Sequence, residues 1–226
     1  VNVGVFAKPT VVNNVETLSN IPLIIEIGGE EYSKIGSSDC PGPKLYCVSG
    51  HVEKPGVYEL PMGTILRDII YKHCGGIKGG KNLKAVIPGG ITTPVLPADK
   101  IDCPMDFVNM PKHGSMLGSG AVIVMDETVC LVKVCHRALK FLEHESCGKC
   151  TPCREGTGWL RSILERIENG KGVEGDMELL LSVSGNMLGK TFCPLGDGAA
   201  SVVQNFIKHF RSEFEEHIQN AKCRFK

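Results

Sequence analysis

Four cysteines constrain this chain more than any other feature. Cys147, Cys150 and Cys153 stand in one run, Cys147-Gly148-Lys149-Cys150-Thr151-Pro152-Cys153, and Cys193-Pro194 lies well downstream. Thiols spaced with two residues between neighbours can close on one centre from a single tight turn. A fourth ligand must then come from elsewhere, and Cys193 is the nearest downstream cysteine. Zinc sites usually take their cysteines as two separated C-x2-C pairs. A C-x2-C-x2-C run with an isolated Cys-Pro is closer to iron–sulfur usage, although a ferredoxin run brings its fourth cysteine sooner. The pattern points to a [4Fe-4S] cluster, with structural zinc and free thiols or disulfides as the alternatives. Gly148 allows a backbone conformation that aims an N–H at sulfur. Pro152 fits the first turn of a following helix. That helix N-terminus, with Lys149 and Arg154, would place positive potential beside anionic ligands.

A chain of 226 residues accommodates one or two domains. Its 25 basic residues balance 25 acidic ones, so nothing points to nucleic acid or to an anionic membrane surface. The odd count of 11 cysteines, outside any small-scaffold pattern, argues for a reducing compartment such as the cytoplasm or an organelle matrix. The longest apolar region, Ile21–Ile27, is broken by Pro22 and Glu26, so direct membrane insertion is not expected. No signal peptide is visible. The first residue is not Met, and the chain reads as a portion of a longer one.

Taken in order, residues 1–43 contain Asn13 and Asn14, either of which can cap a helix with Glu16 and Thr17 in its first turn. Leu18, Ile21, Ile24 and Ile25 keep helical spacing up to Gly28-Gly29. After a Gly/Ser/Pro-rich linker, Leu45–Val52 and Val57–Leu60 read as strands joined across Lys54-Pro55-Gly56. Thr64 is expected to cap a helix carrying Ile65, Leu66, Ile69 and Ile70 and ending at Gly75-Gly76. Ala85–Ile87 and Ala121–Met125 add further strands. This texture over residues 44–126 suggests a small module of β-grasp type. Cys40, Cys47, Cys74 and Cys103 lack ligand spacing, and most of them read as buried small hydrophobes. From residue 127 to 226 the pattern is helical. Stripes run through Leu131, Cys135, Leu139 and Leu142, then through Leu160, Ile163, Leu164 and Ile167. A third helix is expected over Asp176–Leu188, and a fourth after the Gly196-Asp197-Gly198 turn, carrying Val202, Val203, Phe206, Ile207 and Phe214. Short connections favour an antiparallel four-helix bundle. The turns before its second and fourth helices would share one end, where the four cysteines converge. The fold class is therefore α+β.

Several stretches then carry a family resemblance. They are Lys8-Pro9-Thr10-Val11-Val12-Asn13-Asn14-Val15-Glu16-Thr17, Val48-Ser49-Gly50-His51-Val52, Val86-Ile87-Pro88-Gly89-Gly90 and Ala121-Val122-Ile123-Val124-Met125-Asp126. With them stand Glu145-Ser146-Cys147 through Cys153-Arg154-Glu155-Gly156 and Leu195-Gly196-Asp197-Gly198-Ala199. Together they resemble the flavoprotein, NADH-oxidising subunit of respiratory complex I. Relatives include diaphorase subunits of NAD(P)-linked and electron-bifurcating hydrogenases and of formate dehydrogenases. The resemblance implies that residues 1–43 are the last piece of a flavin- and NADH-binding domain, followed by a soluble-ligand-binding β-grasp domain and a cluster-bearing bundle. It implies that Asn13, Asn14 and Thr17 face FMN, and that Cys147, Cys150, Cys153 and Cys193 hold the cluster. It further implies FMN and NAD(H) in the full-length subunit, with partner iron–sulfur subunits that include a thioredoxin-like 2Fe-2S one. A location peripheral to a membrane complex also follows. The glycine-rich flavin loop has no counterpart before Lys8, so the chain alone should not oxidise NADH. A zinc-stabilised partner-binding module is the reading of a different class. Lys222-Cys223 does not decide between the branches.

Overall fold

The computed structural model describes residues 1–225; Lys226, the end of the expected helical region, lies outside them. Helix α1, Val15–Ile27, is capped by Asn14, whose Oδ1 accepts the N–H groups of Glu16 (2.9 Å) and Thr17 (3.3 Å). It stops at Gly28, which takes φ +83°, a conformation glycine adopts without penalty.

Strand β1 (Pro43–Gly50) pairs antiparallel with β2 (Gly56–Pro61), and the Pro55 turn joins them as the sequence suggests. Along β1, Lys44, Tyr46 and Val48 are buried while Leu45, Cys47 and Ser49 face out, the two-residue period of a half-buried strand. Cys47 is thus exposed, because register puts it on the outer face; Cys40, Cys74 and Cys103 are buried, in line with the expectation for most of the four. Strand β5 (Ala121–Asp126) lies parallel to β1 and antiparallel to β3 (Leu83–Ile87), and the short β4 (Leu96–Pro97) closes the sheet in the order β2-β1-β5-β3-β4. Thr64 does not cap the helix that follows β2. Its hydroxyl donates to Pro61 O at 2.7 Å, and the helix is a single turn, Leu66–Asp68, continuing as a π-turn over Ile69–His73.

The sheet is covered on both faces. Val86, Val122 and Val124 pack with Tyr46, Leu66 and Ile70, whereas Ala85, Ile87 and Met125 point into the helical half. Four helices form that half: α2 (Leu131–His144), α3 (Thr151–Glu168), α4 (Asp176–Met187) and α5 (Pro194–Asn220). Their predicted stripes meet in one core around Leu139, Leu160, Leu164, Val203, Phe206 and Phe214, all at most 1% exposed. Each such side chain contributes about 1.5–3 kcal/mol by leaving water. Arg161 of α3 ties Glu143 of α2, and Arg166 pairs with the buried Asp176 at the start of α4. Helix α5 starts earlier than the sequence suggested. Its cap is Cys193, and Gly196-Asp197-Gly198 forms the first turn. Pro194 favours that start, since its missing N–H would be unpaired there anyway. No helix among the described residues is long and apolar enough to cross a membrane.

Candidate metal centre

The predicted thiols sit at two helix N-termini. Cys150 is the cap residue of α3, Cys153 lies in its first turn and is 6% exposed, and Cys193 is the cap residue of α5. Cys147 is exposed in the preceding loop. The two helix starts touch: a Cβ built on Gly196 would lie 3.3 Å from Cys153 Cβ and 2.5 Å from Thr191 Cγ2. A residue larger than glycine at 196 would therefore push the Cys193 turn away from Cys153. Lys149 extends over the Phe192 ring at 5.8 Å, joining the two loops a second time. Around Cys193, Thr191 Oγ1 donates to Cys193 O (2.9 Å), and Asp197 Oδ1 accepts the Gly189 N–H (2.8 Å). Cys150 and Cys193 both stand at helix N-termini, whose positive dipole ends favour anionic ligands.

Two expectations about the loop need correction. Gly148 adopts φ +74°, but its N–H points to Ser146 Oγ at 3.4 Å rather than to sulfur. With that oxygen accepting, the Ser146 hydroxyl can donate to Cys153 Sγ, 3.2 Å away. Arg154 does not lend its charge freely. It donates to Gly148 O (2.9 Å) and pairs with Glu155 (2.8 Å), so it braces the loop.

The donor set, cysteine thiols gathered at two helix starts, is of a kind that an iron–sulfur cluster takes. No three of the four sulfurs lie within 4.8 Å of one another, whereas tetrahedral zinc thiolate holds sulfurs roughly 3.8 Å apart. In a [4Fe-4S] centre each cysteine meets a different iron, so its ligands stand further apart.

Asn13, Asn14 and Thr17 lie apart from this centre. Asn14 and Thr17 line an open cleft with Tyr32, Lys44 and Phe107; Asn13 does not, and its Oδ1 accepts the Asn14 N–H at 2.8 Å. Between them Glu16 ties α1 to β1, accepting from Lys44 Nζ (2.5 Å) and Leu45 N (2.9 Å). Burial pushes that carboxyl up, but these donors outweigh it and hold its pKa below the usual value.

Sequence reasoning missed a second gathering of side chains, Cys130, Glu168, His217 and Cys223. Cys130 and His217 are 87 residues apart, so no local spacing could have announced them.

Comparison with known proteins accords with this geometry. Residues 133–217 match the NADH-ubiquinone oxidoreductase-F iron-sulfur binding region, and residues 44–124 match the SLBB domain. The chain is 50% identical over 222 residues to the F 2 subunit of NADH-quinone oxidoreductase in Rhizobium meliloti (strain 1021), covering 98% of this chain and 53% of that protein. It is 48% identical to the F subunit of NADH-quinone oxidoreductase in Mycobacterium bovis (strain ATCC BAA-935 / AF2122/97), covering 98% of this chain and 50% of that protein. A solved structure of an NAD+-reducing [NiFe]-hydrogenase in the air-oxidized state superposes with a TM-score of 0.84 at 35% identity, over 96% of this chain and 37% of that one. Over nearly all of its own length the chain is homologous to the F subunits of NADH-quinone oxidoreductases, and it spans about half of theirs.

Proposed function

We propose that Cys147, Cys150, Cys153 and Cys193 hold a [4Fe-4S] cluster, and that the chain is the electron-transfer portion of an NADH dehydrogenase flavoprotein subunit. In this reading it is part of an oxidoreductase that passes electrons from NADH through FMN to partner-subunit clusters. The observation that carries the reading is the contact of the α3 and α5 starts, both capped by cysteine, with Gly196 against Cys153. When bound, the cluster would accept and release one electron at a time. The chain's own contributions are binding and tuning. Ser146 donates to Cys153 sulfur, the helix ends offset thiolate charge, and the Lys149–Phe192 contact keeps the ligand loops together.

On the same reading, residues 44–126 form a β-grasp domain, residues 127–226 a four-helix bundle, and residues 1–43 the end of the flavin domain, with Asn13, Asn14 and Thr17 toward FMN. The mixed five-stranded sheet and the four mutually packed helices support that division. The partners would be iron–sulfur subunits, among them a thioredoxin-like 2Fe-2S one, in a reducing compartment beside a membrane complex. The hydrogenase likeness favours a second reading, a diaphorase subunit; the higher identity to NADH-quinone oxidoreductase subunits favours the first.

The test is anaerobic reconstitution with iron and sulfide, followed by EPR before and after dithionite. About four irons per chain and a signal that appears only on reduction are expected, and Cys193→Ser should lose both while Cys40→Ser keeps them. A colourless, EPR-silent protein that holds no iron, with zinc bound by four sulfurs, would overturn the redox reading.

A further inference from the structure

We propose that Cys130, Glu168, His217 and Cys223 form a second, mononuclear metal site, tetrahedral and suited to a divalent cation of the zinc class, which fastens the C-terminal segment to the helices. The four side chains come from four places: the residue before α2, the last residue of α3, the last turns of α5 and the segment beyond it. All are buried, at 6%, 6%, 1% and 6% exposure respectively. One donor atom from each lies within 4.8 Å of every other. Cys130 Sγ is 3.3 Å from His217 Nε2 and 3.6 Å from Glu168 Oε2, and Nε2 is 3.7 Å from Oε2. A tetrahedral ion with sulfur at about 2.3 Å and nitrogen or oxygen at about 2.0–2.2 Å needs edges of roughly 3.3–3.8 Å. The donors therefore need to close by an ångström or less.

The surroundings prepare these atoms as ligands. His217 Nδ1 is 2.7 Å from the Glu213 carbonyl. A carbonyl only accepts, so Nδ1 carries a proton and Nε2 is the ring nitrogen turned toward Cys130 and Glu168. That is the arrangement in which a second partner fixes a ligating imidazole. The Lys133 N–H donates to Cys130 Sγ at 3.3 Å, which suits a thiolate. Glu213 is itself held by the Leu131 N–H and by Lys84 Nζ, each at 2.6 Å, and Lys84 also lies over the Phe225 ring. Two thiolates and a carboxylate carry three negative charges, and a divalent cation leaves one. Binding would release two thiol protons to solvent and involves no redox change. Without a cation, burial is the main force pushing the Cys130 thiol pKa up, and the Glu168 carboxylate adds to it.

This site is separate from the cysteine run. Cys153 and Glu168 lie near opposite ends of α3, about 22 Å apart at 1.5 Å per residue. The competing reading is a metal-free hydrogen-bonded network of the same four groups.

The deciding experiment is zinc analysis of the intact protein purified anaerobically, with zinc-edge X-ray absorption on the same sample. One zinc per chain is expected, with two sulfur neighbours at about 2.3 Å and two lighter ones. Cys223→Ser and His217→Gln should lower zinc at least tenfold and leave iron and sulfide unchanged, whereas Cys147→Ser should do the reverse. Should a variant fail to fold, cobalt(II) added to the zinc-free wild type still decides, through intense thiolate charge-transfer bands. Absence of zinc and of those bands would overturn the proposal. A four-sulfur zinc shell would also overturn it, because the metal would then occupy the cysteine run. Loss of the cluster in Cys147→Ser with zinc retained leaves this proposal standing, whatever becomes of the redox reading.

Discussion

Replacing Arg166 by Met tests how the helical half is joined. Asp176 is 1% exposed at the start of α4, and its carboxylate takes both arms of the Arg166 guanidinium as well as the Val173 N–H at 3.0 Å. Burial pushes this carboxyl up, yet Arg166 and the Val173 N–H more than compensate and hold its pKa below the usual value. A lowered folded pKa means the carboxylate adds stability above its unfolded value of about 3.9, and that this is lost as pH falls through the folded value. Arg166→Met removes the main compensation and leaves a buried charge with one donor. Breaking a fully buried pair costs about 3–5 kcal/mol. The Arg166 side chain is 39% exposed, so water can reach that end and the expected loss is about 2–3 kcal/mol. With a urea slope of about 2 kcal/mol/M, the midpoint should fall by roughly 1–1.5 M. Urea titration at pH 7, followed by far-UV circular dichroism and by Trp159, the single tryptophan and on the same helix, reads this directly. Asp176→Asn in the Arg166→Met background should recover most of the loss. A double variant as unstable as the single one would refute the argument, because the cost would then come from lost packing of the arginine stem.

Other outcomes follow from the same structure. Burial pushes the Asp126 carboxyl up, but Thr128 and His51 more than reverse it and hold the pKa at about 2. Asp126→Asn should therefore cost about 2 kcal/mol at pH 7, and the gap to wild type in urea midpoints should close as pH falls from about 4 to about 2. Gly50 has φ +90°, and a Cβ there would lie 2.1 Å from Val124 O; Gly50→Ala should cost about 2 kcal/mol or more in thermal melts by parting β1 from β5. Phe206→Ala empties a fully buried position shared by the helices and should cost about 3–5 kcal/mol by the same denaturation measurement.

The sequence by itself determined most of the elements and the cysteine spacing on which the proposed cluster rests. The stripe from Leu131 to Leu142, the Pro55 turn and the Gly28 stop are local signals, readable because helix and strand periods repeat over a few residues. The Cys147–Cys153 run was legible for the same reason. What only the tertiary structure decided lies between distant residues. Strand β5 inserts parallel to β1 some 70 residues earlier, and the buried face of β1 is the one that carries Tyr46 and Val48, which leaves Cys47 outside. Cys193 becomes the cap of α5, and Gly196 in the first turn of that helix packs on Cys153. Gly148 points its N–H at the Ser146 hydroxyl, a partner that the cysteine spacing does not announce. Cys130, Glu168, His217 and Cys223 share no spacing at all. They meet because the amphipathic helices bury their stripes in one core, and that burial brings the ends of α3 and α5 beside the start of α2. Burial fixed that meeting, and no local pattern in the chain encodes it.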